Sequence, residues 1–226
     1  MMWLVVTLIV FILARQLSKR YQHPILNPLL ICLVVIIPLL LMLNVPYEVY
    51  FDDNKWIHYL LEPAVVALAF PLYEQLPQIR SRWKVIVTAS VCGSILSMMT
   101  GTAIAFALGA DLQLTASILP KSVTTPIAMA VAEQIGGVPS LAAVMVLIAG
   151  VFGAVLGYPL FKLARITHPM AKGLSMGTVA HALGTAKAAE ENYKDGAFSS
   201  LALVLCGVIT AILAPIIYPL LLSIFH

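Results

Sequence analysis

The stretch Lys121-Ser122-Val123-Thr124-Thr125-Pro126 places one ammonium, three hydroxyls and a proline within six residues. Proline has no amide hydrogen to lose and favours the first position of a helix. Thr125, just before it, is a good N-cap. A helix is therefore predicted to start at Pro126, with its free amides facing an interruption in the chain. Such amides, aided by the helix dipole, attract anions. With Lys121 as cation and Ser122, Thr124 and Thr125 as donors, this chemistry suits a small carboxylate. The plainer alternative is that Lys121 snorkels to a polar surface and the threonines cap a kink.

A second constellation is Gly177-Thr178-Val179-Ala180-His181-Ala182-Leu183-Gly184-Thr185-Ala186-Lys187. On a continuous helix Gly177, His181 and Thr185 share one face, and Gly173 extends it. Small residues such as Gly177 and Gly184 let backbones approach, while His181 and Thr185 offer polar atoms. His181 can accept or pass a proton near neutral pH; an interhelical hydrogen bond is the simpler reading. Glu62 and Glu133 are the carboxylates nearest the apolar segments, and Glu62 is a candidate for a coupling-ion or pocket role. Lys187 with Glu190 and Glu191 reads as a salt-bridged helix end. Gly173-Leu174-Ser175-Met176-Gly177 matches the nucleophile-elbow pattern, but that motif needs a strand–turn–helix in an α/β sheet. No nucleophile, base and orienting group converge, so no catalytic residue is expected. No histidine pattern or cysteine pair has metal-ligand spacing, and neither a metal nor a cofactor is expected. Cys32, Cys92 and Cys206 lie in apolar runs and read as small hydrophobes.

These residues sit in a chain of 226 residues that is 61% hydrophobic and 10% charged, with mean hydropathy +0.99. A soluble domain carries about 25% charged residues. Soluble enzymes, nucleic-acid-binding domains and disordered chains are excluded by that composition. A transmembrane helix takes roughly 20 residues. The chain reads as a single integral membrane domain over 1–226, all-α: a polytopic transmembrane helical bundle of about six spans. Apolar runs occupy 1–14, about 25–43, 59–76, 85–108, 138–161 and 198–225. Arg15, Lys19 and Arg20 follow the first run, which the positive-inside rule places with the N-terminus outside. The acidic loop 44–58 then lies outside. The Arg80-Ser81-Arg82-Trp83-Lys84 turn lies inside.

Counting 112–135 as one more crossing would place Lys162, Arg165, His168 and Lys172 outside. A re-entrant hairpin over 112–135 removes the conflict, and Pro120, Pro126 and Gly136-Gly137 supply the breaks. Backbone of that kind is tolerated at membrane depth where it is buried in protein or lines a cavity. The segment 173–190 reads as a second hairpin or broken helix, dipping from the inner side. Two interrupted segments entering from opposite faces form the layout of an inverted-repeat transporter. Few identities align between the halves, so the repeat is an expectation about architecture only.

Three stretches, Leu119–Ala128, Gly173–Ala186 and Glu191–Ser200, resemble the LrgB/CidB family of bacterial membrane proteins. Asn27-Pro28-Leu29 and Pro71-Leu72-Tyr73-Glu74-Gln75 add to the resemblance, especially to its YohK-like branch. The resemblance implies a bacterial inner-membrane location and two competing functions. One is secondary transport of small monocarboxylates such as pyruvate or glycolate, as in the related plastid glycolate/glycerate translocator. The other is a holin- or antiholin-like pore or regulator of murein hydrolase activity and lysis. It also implies a small LrgA/CidA-type membrane partner. A homodimer in the bilayer is expected, with no nucleic-acid partner.

Overall fold

The computed structural model describes residues 1–21, 26, 28–60, 63, 66, 73 and 76–225. Glu62, Pro71 and the Glu74-Gln75 pair lie outside the described residues, as does most of the run 59–76. The described residues are all-helical, without strands. The chain divides into two compact units, Met1–Ala64 and Val65–His226.

The first unit holds α1 (Met2–Tyr21), α2 (Pro28–Met42) and α3 (Tyr47–Tyr59), with α1 packed on both others. The stretch expected as an outer loop is thus largely helix α3, none of whose residues is buried. It is pinned to the start of α1. The Trp3 amide donates to Asp53 Oδ2 at 2.9 Å, which satisfies one of the amides a helix start leaves free. The Trp3 and Tyr50 rings meet edge to face at 6.1 Å, and the Thr7 and Tyr50 hydroxyls lie 3.0 Å apart.

The second unit runs α4 (Leu76–Ala107), α5 (Leu112–Ile118), α6 (Thr125–Gln134), α7 (Pro139–Leu163), α8 (Pro169–Glu191) and α9 (Tyr193–Phe225). Among the described residues four helical stretches are long and apolar enough to cross a membrane: Met2–Tyr21, Arg80–Ala107, Pro139–Leu163 and Tyr193–Ser223. Leu30–Met42 is a shorter apolar helix. The basic stretch 80–84 is helical rather than a turn, with a local break at Arg82. Sequence reasoning missed this because a charge cluster marks an interface without requiring the backbone to leave the helix there. α9 continues through Pro215 and Pro219.

Two glycines end helices. Gly109 has φ +77 and Gly136 φ +85, backbone that only glycine adopts without strain. In each case the next amide reaches back five residues: Ala110 to the Ala105 carbonyl at 3.0 Å and Gly137 to that of Ala132 at 2.7 Å. This is the closing bond of a Schellman cap. Beyond Gly136 the Val138 amide donates to Ser117 Oγ at 2.7 Å, and Gly137 packs on the Ala116–Ser117 backbone. Residues 118–137 therefore leave and return at one level. Tyr218 of α9 holds the start of α5 by donating to the Leu112 carbonyl at 2.7 Å.

Candidate functional site

Lys121 sits in the turn between α5 and α6. Its Nζ donates to the Ser97 carbonyl at 2.9 Å and to Ser97 Oγ at 3.1 Å. The Ser97 and Ser122 hydroxyls are 2.6 Å apart. The lysine lies along α4 over Gly101, where an added Cβ would meet Nζ at 2.8 Å. An ammonium has three donors; Ser97 engages two of them and leaves one. A snorkelling lysine would instead run outward to the surface.

The helix after the break starts at Thr125, one residue earlier than expected, with Pro126 in its first turn. Its N-cap is Thr124 rather than Thr125, in extended conformation (φ −66, ψ 149) and without a side-chain capping bond. Thr124 Oγ1 is buried and has no hydrogen-bond partner. Among the described residues, the helix start three residues after Lys121 thus carries an unused hydroxyl, and the lysine has a donor to spare. Thr125 and Pro126 are half-buried, and Glu133, at the far end of α6, is exposed.

The second constellation is reorganised by the backbone. His181 has φ +40 and ψ −134 and breaks α8 into residues 169–180 and 182–191. Residues eight apart on a straight helix are separated by about 12 Å. Here a Cβ at Gly184 would lie 2.9 Å from the Met176 carbonyl oxygen, so the chain bends back sharply. The single face expected for Gly177, His181 and Thr185 is therefore corrected: it assumed an unbroken helix. Gly177 packs on the Ser199 carbonyl and Ala202 of α9. Gly184 packs between the two arms, on Ala180 and Met176. His181 turns to α7 and donates from Nε2 to the Val146 carbonyl at 2.7 Å, lying over Gly150. Thr185 Oγ1 donates to the His181 carbonyl at 2.8 Å, which the break exposes, and lies 2.8 Å from Ser199 Oγ.

A non-glycine residue with this backbone carries strain of about 1–3 kcal/mol. Both His181→Ala and His181→Gly lose the ring and its bond to Val146. Only glycine relaxes the backbone, so His181→Gly is expected to be the more stable of the two by about 1 kcal/mol, measured by thermal unfolding in detergent. That order reverses the alanine-over-glycine ranking of ordinary helix positions. Alanine proving the more stable would show that the break carries no such strain.

Lys121 and Ser122 form one group through Ser97, while His181 and Thr185 form another through Val146 and Ser199. Among the described residues no hydrogen bond joins the two groups. They share α7 instead: the Val146 side chain packs with Val123 and Ala128 of the first group, while its carbonyl takes His181 of the second. Lys187 pairs with Glu191 at 2.8 Å and Glu190 at 3.7 Å, the salt-bridged helix end that its spacing indicated.

Sequence reasoning missed three sets of residues. Ser97 positions Lys121. Ser94 and Ser90, one and two turns earlier on α4, are buried with hydroxyls that make no well-formed hydrogen bond. Asp195 is 0% exposed; its Oδ2 accepts from Tyr158 Oη at 2.7 Å and pairs with Lys172 Nζ at 3.0 Å, while Oδ1 has no partner. The serine spacing 90, 94, 97 is a helical-face signal that a search for hydroxyls, rather than charges, would have found.

The LrgB-like family model matches residues 7–220. The chain is 43% identical over 214 residues to an uncharacterized protein of Haemophilus influenzae, covering 95% of this chain and 93% of that one. It is 40% identical to the uncharacterized protein YxaC of Bacillus subtilis, with the same coverage. It is 32% identical over 217 residues to the holin-like protein CidB of Staphylococcus aureus, covering 96% and 95%. No solved structure matches.

Proposed function

The chain belongs to the LrgB family and is a multi-pass membrane protein, and from that premise we propose that it is a secondary transporter of small monocarboxylates across the bacterial inner membrane. The observation that carries this reading is the pairing of Lys121, held by Ser97 with one donor spare, with the uncapped start of α6. The carboxylate sits between that ammonium and the α6 amides, with Thr124 Oγ1 and Ser122 donating to it. Thr125 and Pro126 set the direction of the helix start. His181, Thr185, Gly177 and Gly184 shape the second broken segment rather than touching the carboxylate. Both broken segments dip into the bilayer as re-entrant elements, the N-terminus lies outside, and the protein works as a homodimer, with a small LrgA/CidA-type protein as its partner. Glu62, as a coupling group, completes this reading from the sequence alone.

A pore or lysis regulator is the second reading, favoured by the holin-like name of the CidB relatives. A pore has no use for a lysine tied to one serine beside a helix start. The two separate in proteoliposomes. Uptake of labelled pyruvate and glycolate that saturates, and that other short carboxylates compete for, with retention of a trapped dye, is the carrier result. Uptake linear in concentration together with dye leakage overturns it.

A further inference from the structure

Between the Lys121 end of the site and the buried Asp195 lies a row of polar side chains in the interior. Ser97 touches both Lys121 and Ser122. Ser94 and Ser90 continue along the same face of α4 at i−3 and i−7, 3% and 0% exposed; their hydroxyls make no well-formed hydrogen bond and lie beside the Cys206 thiol, a weak partner. The Thr178 side chain packs against Gly93 between them. Cys206 Sγ lies 3.3 Å from Thr178 Oγ1 and 3.9 Å from the Ser90 carbonyl. On α9, Cys206 shares a face with Ser199 and Asp195 at i−7 and i−11, and both are fully buried. The row extends about 10 Å along α4 and about 16 Å along α9.

Buried hydroxyls normally find partners, and an unpartnered one costs about 1–3 kcal/mol. Two neighbouring hydroxyls served only by a thiol inside an apolar bundle remain able to donate to something they meet only part of the time. Hydroxyls and one thiol suit an anion in passage, since they donate without holding it as tightly as a charge would. At the far end Lys172 is the matching cation, and Asp195 and Tyr158 occupy it.

We propose that this row is the internal route of a small anion from Lys121 to the Lys172 side, and that the Lys172–Asp195–Tyr158 cluster is its gate. The anion arriving at Lys172 takes the place of Asp195, and the release of the pair opens the end of the route. The identity of that anion rests on the proposed carboxylate transport; the route and the gate do not.

Cys206 is a built-in reporter of the route. In protein whose Cys32 and Cys92 are replaced by alanine, the test is modification of Cys206 by the anionic reagent MTSES. It is followed by mass and calibrated against protein unfolded in SDS. Asp195→Asn is expected to raise the labelling rate at least 10-fold over the parent, and Tyr158→Phe serves the same end if the asparagine variant does not fold. A Cys206 equally unreactive in parent and variants overturns the route. Equal fast labelling in all of them overturns the gate. Neither result depends on uptake, so a failed carrier and a failed route are told apart.

Discussion

Replacement of Lys121 by alanine is expected to lower kcat/KM for carboxylate uptake by about 10- to 150-fold, the equivalent of the roughly 1.5–3 kcal/mol carried by a hydrogen bond to a charged group. The loss falls on substrate handling rather than on folding, because among the described residues the Lys121 side chain bonds to Ser97 alone. Arginine is not a substitute. The lysine lies closely over Gly101, and a guanidinium differs from an ammonium in both shape and reach. Lys121→Arg should therefore stay within a few-fold of the alanine variant, while Ser97→Ala, which removes one of the ammonium's two bonds and keeps that to the carbonyl, falls between alanine and wild type. Initial rates of labelled pyruvate uptake across the series, corrected for reconstituted protein, measure this. Wild-type rates in Lys121→Ala would remove the lysine from the site.

The second large effect is on stability. Gly177→Val is expected to cost more than about 4 kcal/mol, the range reserved for severe core disruption. A Cβ at this position would run into the Ser199 carbonyl oxygen and would lie 2.9 Å from the Ala202 methyl. The obstacle is backbone of α9, which cannot rotate out of the way as a side chain can. Valine adds two further methyls where one carbon does not fit. The measured outcome is loss of monodisperse protein in detergent, or a fall in its unfolding temperature. Gly109→Ala makes the comparison: nothing lies within 4 Å of that position, and its cost is limited to the left-handed backbone. Equal stability of the two variants would show that α8 and α9 are less closely packed than this.

Much of the architecture is legible in the residues, for physical reasons. Pro126 and its hydroxyl neighbours mark a helix start wherever the rest of the chain goes, because proline constrains its own backbone. Gly136 marks a helix end in the same way. The break in α8 is different. The run 173–190 reads as a broken segment, but neither proline nor glycine stands at residue 181, and the place of the turn is set by a tertiary contact, the ring bonding to Val146. No local signal encodes that position. Asp195 stands in the polar run from Glu190 to Asp195, and such neighbours suggest exposure; its burial depends on Tyr158 and Lys172 arriving from other helices. The serines of α4 looked ordinary because a hydroxyl in an apolar helix usually bonds to its own backbone, and these do not.

Val146 has a role that neither broken segment reveals alone. It is one residue of α7, yet its side chain packs with one segment and its carbonyl bonds the other. α7 is thus shared support for both segments: a displacement of Val123 or Ala128 acts on the helix whose carbonyl holds His181. On the proposed carrier reading, any coupling between a carboxylate beside Lys121 and the bend at His181 is reciprocal, each biasing the other by the same free energy, and α7 is the element placed to carry it.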